Sequence, residues 1–254
     1  MILFERHFGE GETLVIIHGL FGQSDNWTSI ARKLGERYRV YTFDLRNHGQ
    51  SGHDEACDYT SMAHDMIETL DALGLDKIHL VGHSMGGKVA IQMGLLYPER
   101  LHSLLIADIG PRFYKPHHQE IIAGLNSIDI DNLANRQEAE QKLAEFVDDV
   151  GTRQFLLKNL YRTNEGTFKW RFNLDALTRN IGEIGDALSE GICHVPSLFF
   201  HGGNSRYVLE EDYPLIRVQF PQAEFKIMQG AGHWLHAENP TAFMETTVAW
   251  IENN

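Results

Sequence analysis

The chemistry in this chain starts at Gly82-His83-Ser84-Met85-Gly86-Gly87, which matches the pattern G-x-S-x-G. A serine hydroxyl is a weak nucleophile. It becomes a useful one when a base takes its proton and fixed N–H groups hold the negative charge that builds on the attacked carbonyl. The short motif occurs by chance on glycine-rich turns, so its surroundings decide its meaning. Here it follows an apolar run, Lys77 to Val81, and precedes a helical pattern, Met85 to Tyr97. A serine on such a sharp strand-to-helix turn needs glycine two residues to either side, because side chains there would collide. The turn sets the hydroxyl at the carboxyl edge of a sheet, beside the positive end of the next helix.

Two further segments supply partners. His18-Gly19-Leu20-Phe21-Gly22 closes the first strong strand, and hydrolases with this turn take one oxyanion N–H from such a loop. Leu20 is the first choice for that donor and Phe21 the second; the other donor is the N–H of Met85, directly after the serine. Gly230-Ala231-Gly232-His233-Trp234 follows the last apolar run and precedes the last helix. Its glycines let the loop bring an imidazole to Ser84, so His233 is the expected general base. His236, three residues on, falls among residues leading into the helix and is set aside.

The acid that would orient the imidazole is less direct. It usually follows the penultimate strand, Pro196 to Phe200, but that loop reads His201-Gly202-Gly203-Asn204-Ser205 and offers no anion. The next carboxylates are Glu210, Glu211 and Asp212. One strand earlier, Leu104-Leu105-Ile106-Ala107-Asp108 puts a carboxylate at the end of an apolar strand, where an unpaired charge is costly. Asp108 is therefore the expected acid and Asp212 the rival. Asp44 and Arg46 are read as hydrogen-bonding residues that hold a loop closed by Gly49, with a pocket role for His48 the lesser reading. His64 and Asp65 lie on a predicted helix and are expected at the surface. No H-E-x-x-H or G-x-G-x-x-G is present, and His117-His118 lacks helical spacing, so neither a metal nor a dinucleotide is indicated.

These residues need a frame. Thr13–Ile17, Arg39–Leu45, Lys77–Val81, Leu101–Ile106, Pro196–Phe200 and Glu224–Met228 read as short strands, apolar enough to be covered on both faces. Asn26–Glu36, Tyr59–Leu73, Met85–Tyr97 and Pro240–Ile251 carry helical periodicity. Strand–helix alternation predicts an α/β fold with a mostly parallel, doubly wound sheet. Residues 112–194 break the rhythm with helical stretches at Gln119–Leu125, Arg136–Val150, Arg153–Tyr161 and Asn173–Leu188. The expected division is a core of residues 1–111 and 195–254 with a helical cap, 112–194, over the site.

The 254 residues are 43% hydrophobic and 22% charged, an ordinary globular composition. A net charge of −13 argues against a nucleic-acid binder and against docking on anionic lipid. Cys57 and Cys193 read as free thiols in a reducing compartment. The N-terminus lacks a secretory pattern and no run reaches the roughly 18 apolar residues of a membrane helix. A cytoplasmic protein is expected, as a monomer or small homo-oligomer.

Together HGLFG, DLRNHGQS, GHSMGGK, DIGP, GGNSRYV and GAGHWLHAE resemble a bacterial esterase subgroup of the α/β-hydrolase superfamily, the YbfF-type esterases, over nearly the whole chain. The resemblance implies carboxylesterase activity, extending to acyl-CoA thioesters, with no cofactor. It also implies an acid after the family's sixth strand, which falls on Asp108, with the cap inserted after that strand. Related enzymes with an aspartate nucleophile are excluded by Ser84. A carbon–carbon hydrolase or lyase would keep the same triad, and a slow-turnover small-ligand receptor could keep it too. Fold-level analogy does not choose among these.

Overall fold

The computed structural model describes residues 1–254. Seven strands form one sheet: β1 (Glu5–Phe8), β2 (Thr13–Ile17), β3 (Arg39–Phe43), β4 (Ile78–His83), β5 (Leu101–Ala107), β8 (Ser197–Gly202) and β9 (Ala223–Met228). Their order is β1-β3-β2-β4-β5-β8-β9, parallel throughout except for β1, which runs antiparallel to β3.

The apolar runs work as two interleaved sets, because successive residues of a strand point to opposite faces. Val15 and Ile17 join Leu104, Ile106 and Phe199 in one core, under the helices Tyr59–Ala72 and Met85–Leu96. Leu14 and Ile16 join Leu105, Ala107, Leu198 and Phe200 in the other, under the helices Thr28–Leu34 and Pro240–Glu252. A strand covered on both faces cannot alternate with polar residues, which is why these strands are legible as continuous apolar runs. The six expected strands and four core helices are all present. Strand β1 was not foreseen: Glu-Arg-His-Phe is a partly exposed edge strand with no apolar signature.

The insertion follows β5, the family's sixth strand but the fifth of this chain. It is not wholly helical. It holds the helices Gln119–Asn126, Arg136–Ala144, Val150–Leu157, Leu174–Arg179 and Ile181–Gly185, and a two-stranded hairpin, β6 (Leu160–Arg162) with β7 (Phe168–Trp170). The long helices expected there are cut by local caps. The Asp149 side chain accepts from the Thr152 N–H and starts a new helix inside the stretch expected as Arg136–Val150. That helix ends at Leu157, before the expected limit at Tyr161. Asn180 and Asp186 end two short helices inside the expected Asn173–Leu188.

Candidate active site

Every parallel strand but the last leads at the same sheet edge to a residue of the site or its supports: His18 after β2, Asp44 after β3, Ser84 after β4, Asp108 after β5 and Ser205 after β8. The loop after β9 brings His233 to them. In open α/β sheets this carboxyl edge is where ligands bind.

Ser84 sits at φ 54° and ψ −119°, a backbone region that non-glycine residues rarely adopt. The turn is held by the Ser84 N–H donating to the Ala107 carbonyl, 3.0 Å. A Cβ on Gly82 would meet the Gly86 carbonyl oxygen at 2.2 Å, and one on Gly86 would meet that of His18 at 2.5 Å, so both positions require glycine. Phe21 and Asp108 share the positive φ, at 58° and 53°. Three non-glycine residues at strained dihedrals around one point is a pattern found where function over-determines the backbone.

The three sequence-predicted residues lie in one hydrogen-bonded line. His233 Nε2 is 3.0 Å from Ser84 Oγ, and His233 Nδ1 is 2.7 Å from Asp108 Oδ2. Asp108 is fully buried. Its charge is met by the imidazole, by the Gly202 N–H on Oδ1 at 3.0 Å, and by the Ser205 hydroxyl on Oδ2. The Asn204-Ser205 loop thus supplies no anion but serves the one that is there. Asp212 is occupied elsewhere, pairing with Arg112 at 3.1 Å and accepting from the Leu209 N–H.

Around this line stand residues whose roles the sequence did not disclose. The Tyr207 ring stacks on His233 with centroids 4.1 Å apart. The His83 ring lies 4.7 Å from the same imidazole, and its Nε2 is 2.8 Å from the His233 carbonyl. Burial first, and then the neighbouring His236 and His233, hold His83 well below the usual imidazole range; it is neutral and donates to that carbonyl. His236, the discarded alternative, is buried and stacked on Trp27 at 4.0 Å.

The loop from His18 to Gly22 is held by two more neutral histidines. Burial lowers His18 to about 4, and burial with the nearby His18 lowers His48 to about 3. His18 Nδ1–H donates to the Gly19 carbonyl and its Nε2 accepts from the Leu45 N–H. His48 Nδ1–H donates to the Arg46 carbonyl and its Nε2 accepts from the Phe21 N–H at 3.1 Å. His48 is therefore a loop anchor and lines no cavity at Ser84. The Phe21 N–H is occupied, whereas that of Leu20 has no partner within the chain. The Met85 N–H opens a helix and has no carbonyl one turn before it. Asn159, from the insertion, donates to the Phe21 carbonyl at 2.8 Å and ties that segment to the same loop.

Asp44 and Arg46 hold the loop after β3 as expected. Asp44 accepts from the Ser24 and Gln50 N–H groups, and Arg46 grips Asp65 with two nitrogens at 2.6 and 2.9 Å. This corrects the expected surface position of Asp65, which is buried; its neighbour His64 is exposed. A helix periodicity cannot show that a carboxylate has a buried cation waiting for it. No group of three or more His, Cys, Asp or Glu side chains converges as metal ligands. No helix is long and apolar enough to cross a membrane.

Comparison with known proteins agrees with the geometry. A family model described as the alpha/beta hydrolase fold matches residues 12–120. Esterase YbfF of Escherichia coli is 38% identical over 241 residues, 94% of this chain and 93% of the relative. The sn-1-specific diacylglycerol lipase ABHD11 of Mus musculus is 37% identical over 247 residues, 94% of this chain and 80% of the relative. A solved structure titled marine microorganism esterase superposes with a TM-score of 0.96 at 41% identity, covering 98% of this chain and 99% of that one. With a serine on its strained turn, a histidine and a buried aspartate in line behind it, and relatives at least 37% identical over 94% of this chain, the chain belongs to the α/β-hydrolase family.

Proposed function

We propose that this protein is a serine carboxylesterase that cleaves carboxylic esters, and by the same chemistry acyl thioesters, through an acyl-enzyme. The observation that carries the reading is the unbroken line from Ser84 Oγ to His233 to the buried Asp108. His233 Nε2 takes the Ser84 proton as Oγ attacks the substrate carbonyl carbon. The N–H groups of Leu20 and Met85 hold the resulting oxyanion. The intermediate collapses, the bond to the alcohol or thiol breaks, and His233 returns the proton to that leaving atom. Water then gives a proton to His233 and attacks the acyl carbon; the bond to Oγ breaks, His233 returns the proton to Oγ, and the acid leaves with Ser84 restored. Asp108 fixes the Nδ1–H tautomer and stabilises the imidazolium while it exists. The cycle needs no cofactor.

In this reading residues 1–111 and 195–254 are the catalytic core and 112–194 the cap that shapes the substrate site. The substrate is a small molecule met in the cytoplasm, and the working unit is a monomer or small homo-oligomer. The relatives' names, esterase and lipase, support ester chemistry over the carbon–carbon alternative.

The test is hydrolysis of p-nitrophenyl esters by the purified protein with Ser84→Ala as the blank. Turnover is expected to fall by about 10⁴-fold or more in the variant. Folded protein that turns over no ester, or turnover that survives in Ser84→Ala, would overturn the proposal.

A further inference from the structure

The loop N–H assigned to the oxyanion belongs to Leu20, and Leu20 stands on a turn under strain. The Gly22 N–H donates to the Gly19 carbonyl at 2.9 Å, so Leu20 and Phe21 are the corners of a four-residue turn. Gly19 lies against the nucleophile: a Cβ there would meet the Ser84 Cβ at 3.2 Å. Phe21 has φ 58°, a conformation that a residue with a side chain keeps only where its surroundings impose it. Left alone, this corner relaxes by rotating the peptides on either side of Phe21, and Leu20 turns with them.

Three contacts oppose that rotation, and two of them come from the insertion. The core supplies one: the Phe21 N–H donates to His48 Nε2 at 3.1 Å. From the insertion, Asn159 Nδ2 donates to the Phe21 carbonyl at 2.8 Å. The Phe21 ring also packs edge-on against Phe172, with centroids 5.3 Å apart, and Phe172 is itself stacked on Trp170. Asn159 makes a firm anchor. It is buried between the helix Val150–Leu157 and β6. Its backbone N–H donates to the Leu156 carbonyl at 3.0 Å, and its own carbonyl accepts from the Arg171 N–H at 2.9 Å. The second Nδ2 proton also goes to the Leu156 carbonyl, at 3.2 Å, so the amide cannot turn over without setting its oxygen against two carbonyls.

Resting on the esterase reading above, we propose that Asn159 is a positioning residue of the reaction: by holding the Phe21 carbonyl it aims the Leu20 N–H at the oxyanion. The insertion then does more than shape the substrate site. It stiffens one of the two N–H donors that meet the developing charge, and a core without it would carry the triad beside a slack oxyanion loop. The strain at Phe21 is what makes the contact necessary, since an unstrained corner would keep its shape unaided.

The experiment separates transition-state binding from ground-state binding. An alkyl trifluoromethyl ketone adds reversibly to Ser84: the Oγ–carbon bond forms, the Oγ proton passes to His233, and the carbonyl π pair becomes an alkoxide facing the Leu20 and Met85 N–H groups. The corresponding alcohol cannot add and reports ground-state binding alone. Removing an oxyanion donor outright lowers kcat by about 10²- to 10³-fold, so a misdirected one should lower it by about 10- to 100-fold. Asn159→Leu, similar in size and unable to donate, should show that loss of kcat on p-nitrophenyl butyrate with KM within about twofold of wild type. The ketone Ki should rise by the same factor while the alcohol Ki stays within about twofold. Asn159→Ala, read in the same way, stands in if the leucine variant does not fold. Asn180 also ties the insertion to the core, donating to the Glu55 carbonyl at 2.9 Å, and touches no residue of the oxyanion loop. Asn180→Ala should therefore leave the ketone Ki unchanged. An unchanged ketone Ki in the Asn159 variants, or an equal loss in Asn180→Ala, would overturn the positioning role and leave the esterase reading intact. A wild-type protein that neither cleaves an ester nor binds the ketone more tightly than the alcohol would overturn both.

Discussion

The Asp108 carboxylate collects hydrogen bonds from three places in the chain: the His233 ring, the Gly202 N–H and the Ser205 hydroxyl. An amide in its place cannot fix the imidazole with its proton on Nδ1 and its lone pair toward Ser84. Asp108→Asn should lower kcat by about 10³- to 10⁴-fold, with an unchanged far-UV circular dichroism spectrum. Asp212→Asn should keep near wild-type kcat, since Asp212 pairs with Arg112 and makes no hydrogen bond to His233. The reverse ranking would move the acid to Asp212. Ser205→Asp restores the family's more usual carboxylate position, but here it sets a second negative charge against Asp108. We expect lower kcat and a lower Tm than for Ser205→Ala; a gain in kcat would show that the usual acid site was merely vacant. Asp108 was legible because a charge ending an apolar strand demands a partner. Ser205 and Tyr207 were not: a hydroxyl and a ring in an irregular loop leave no period, and their roles depend on where the His233 loop comes to rest.

At the scale of elements, strands with several apolar residues announce themselves, even the half-exposed β9, whereas β1, whose Glu-Arg-His-Phe holds a single apolar residue, does not. The insertion was harder for another reason. Its boundaries are set by single side chains such as Asn135, Asp149 and Asn173 that accept from the first turn of the next helix, and these override the longer apolar period. Lys88, on the helix that follows Ser84, reaches carbonyls near both ends of the insertion, Arg112 at one and Gly185 and Asp186 at the other. Lys88→Met keeps the stem and leaves the Arg112 and Asp186 carbonyls without a donor, while that of Gly185 keeps the Tyr114 N–H. It should cost about 1–3 kcal/mol of stability and speed limited proteolysis within residues 112–194 relative to the core. Equal cutting rates in wild type and variant would separate Lys88 from the positioning of the insertion.

For the molecule as a whole, the buried histidines set a response to acid. His18 is held at about 4, His48 and His236 at about 3, and His83 well below the ordinary 6.5, in each case first by burial. As pH falls below 6.5 the unfolded chain takes up protons that the folded one refuses. Their contribution to stability is complete above 6.5 and is lost progressively down toward 3 to 4, at up to about 1.4 kcal/mol per pH unit for each such group. Tm should therefore drop steeply between pH 7 and pH 5. His236→Phe tests this cleanly, because the His236 ring stacks on Trp27 and its Nδ1 has no hydrogen-bond partner to lose. The variant should lose less Tm over that interval than the wild type. Parallel curves would place the acid sensitivity elsewhere.

The order of the strands also has a consequence for how the chain comes into being. Strand β5 lies in the middle of the sheet, yet its neighbour β8 is made only after the whole insertion, and His233 follows later still. During synthesis the Ser84 turn and Asp108 are finished early, while the far edge of β5 waits as an open row of N–H and carbonyl groups, exposed to mispairing. A ribosome-bound chain that stops short of β8 is therefore both chemically silent and sticky. Loss of the C-terminal quarter would be felt first as aggregation, before it could be measured as lost turnover.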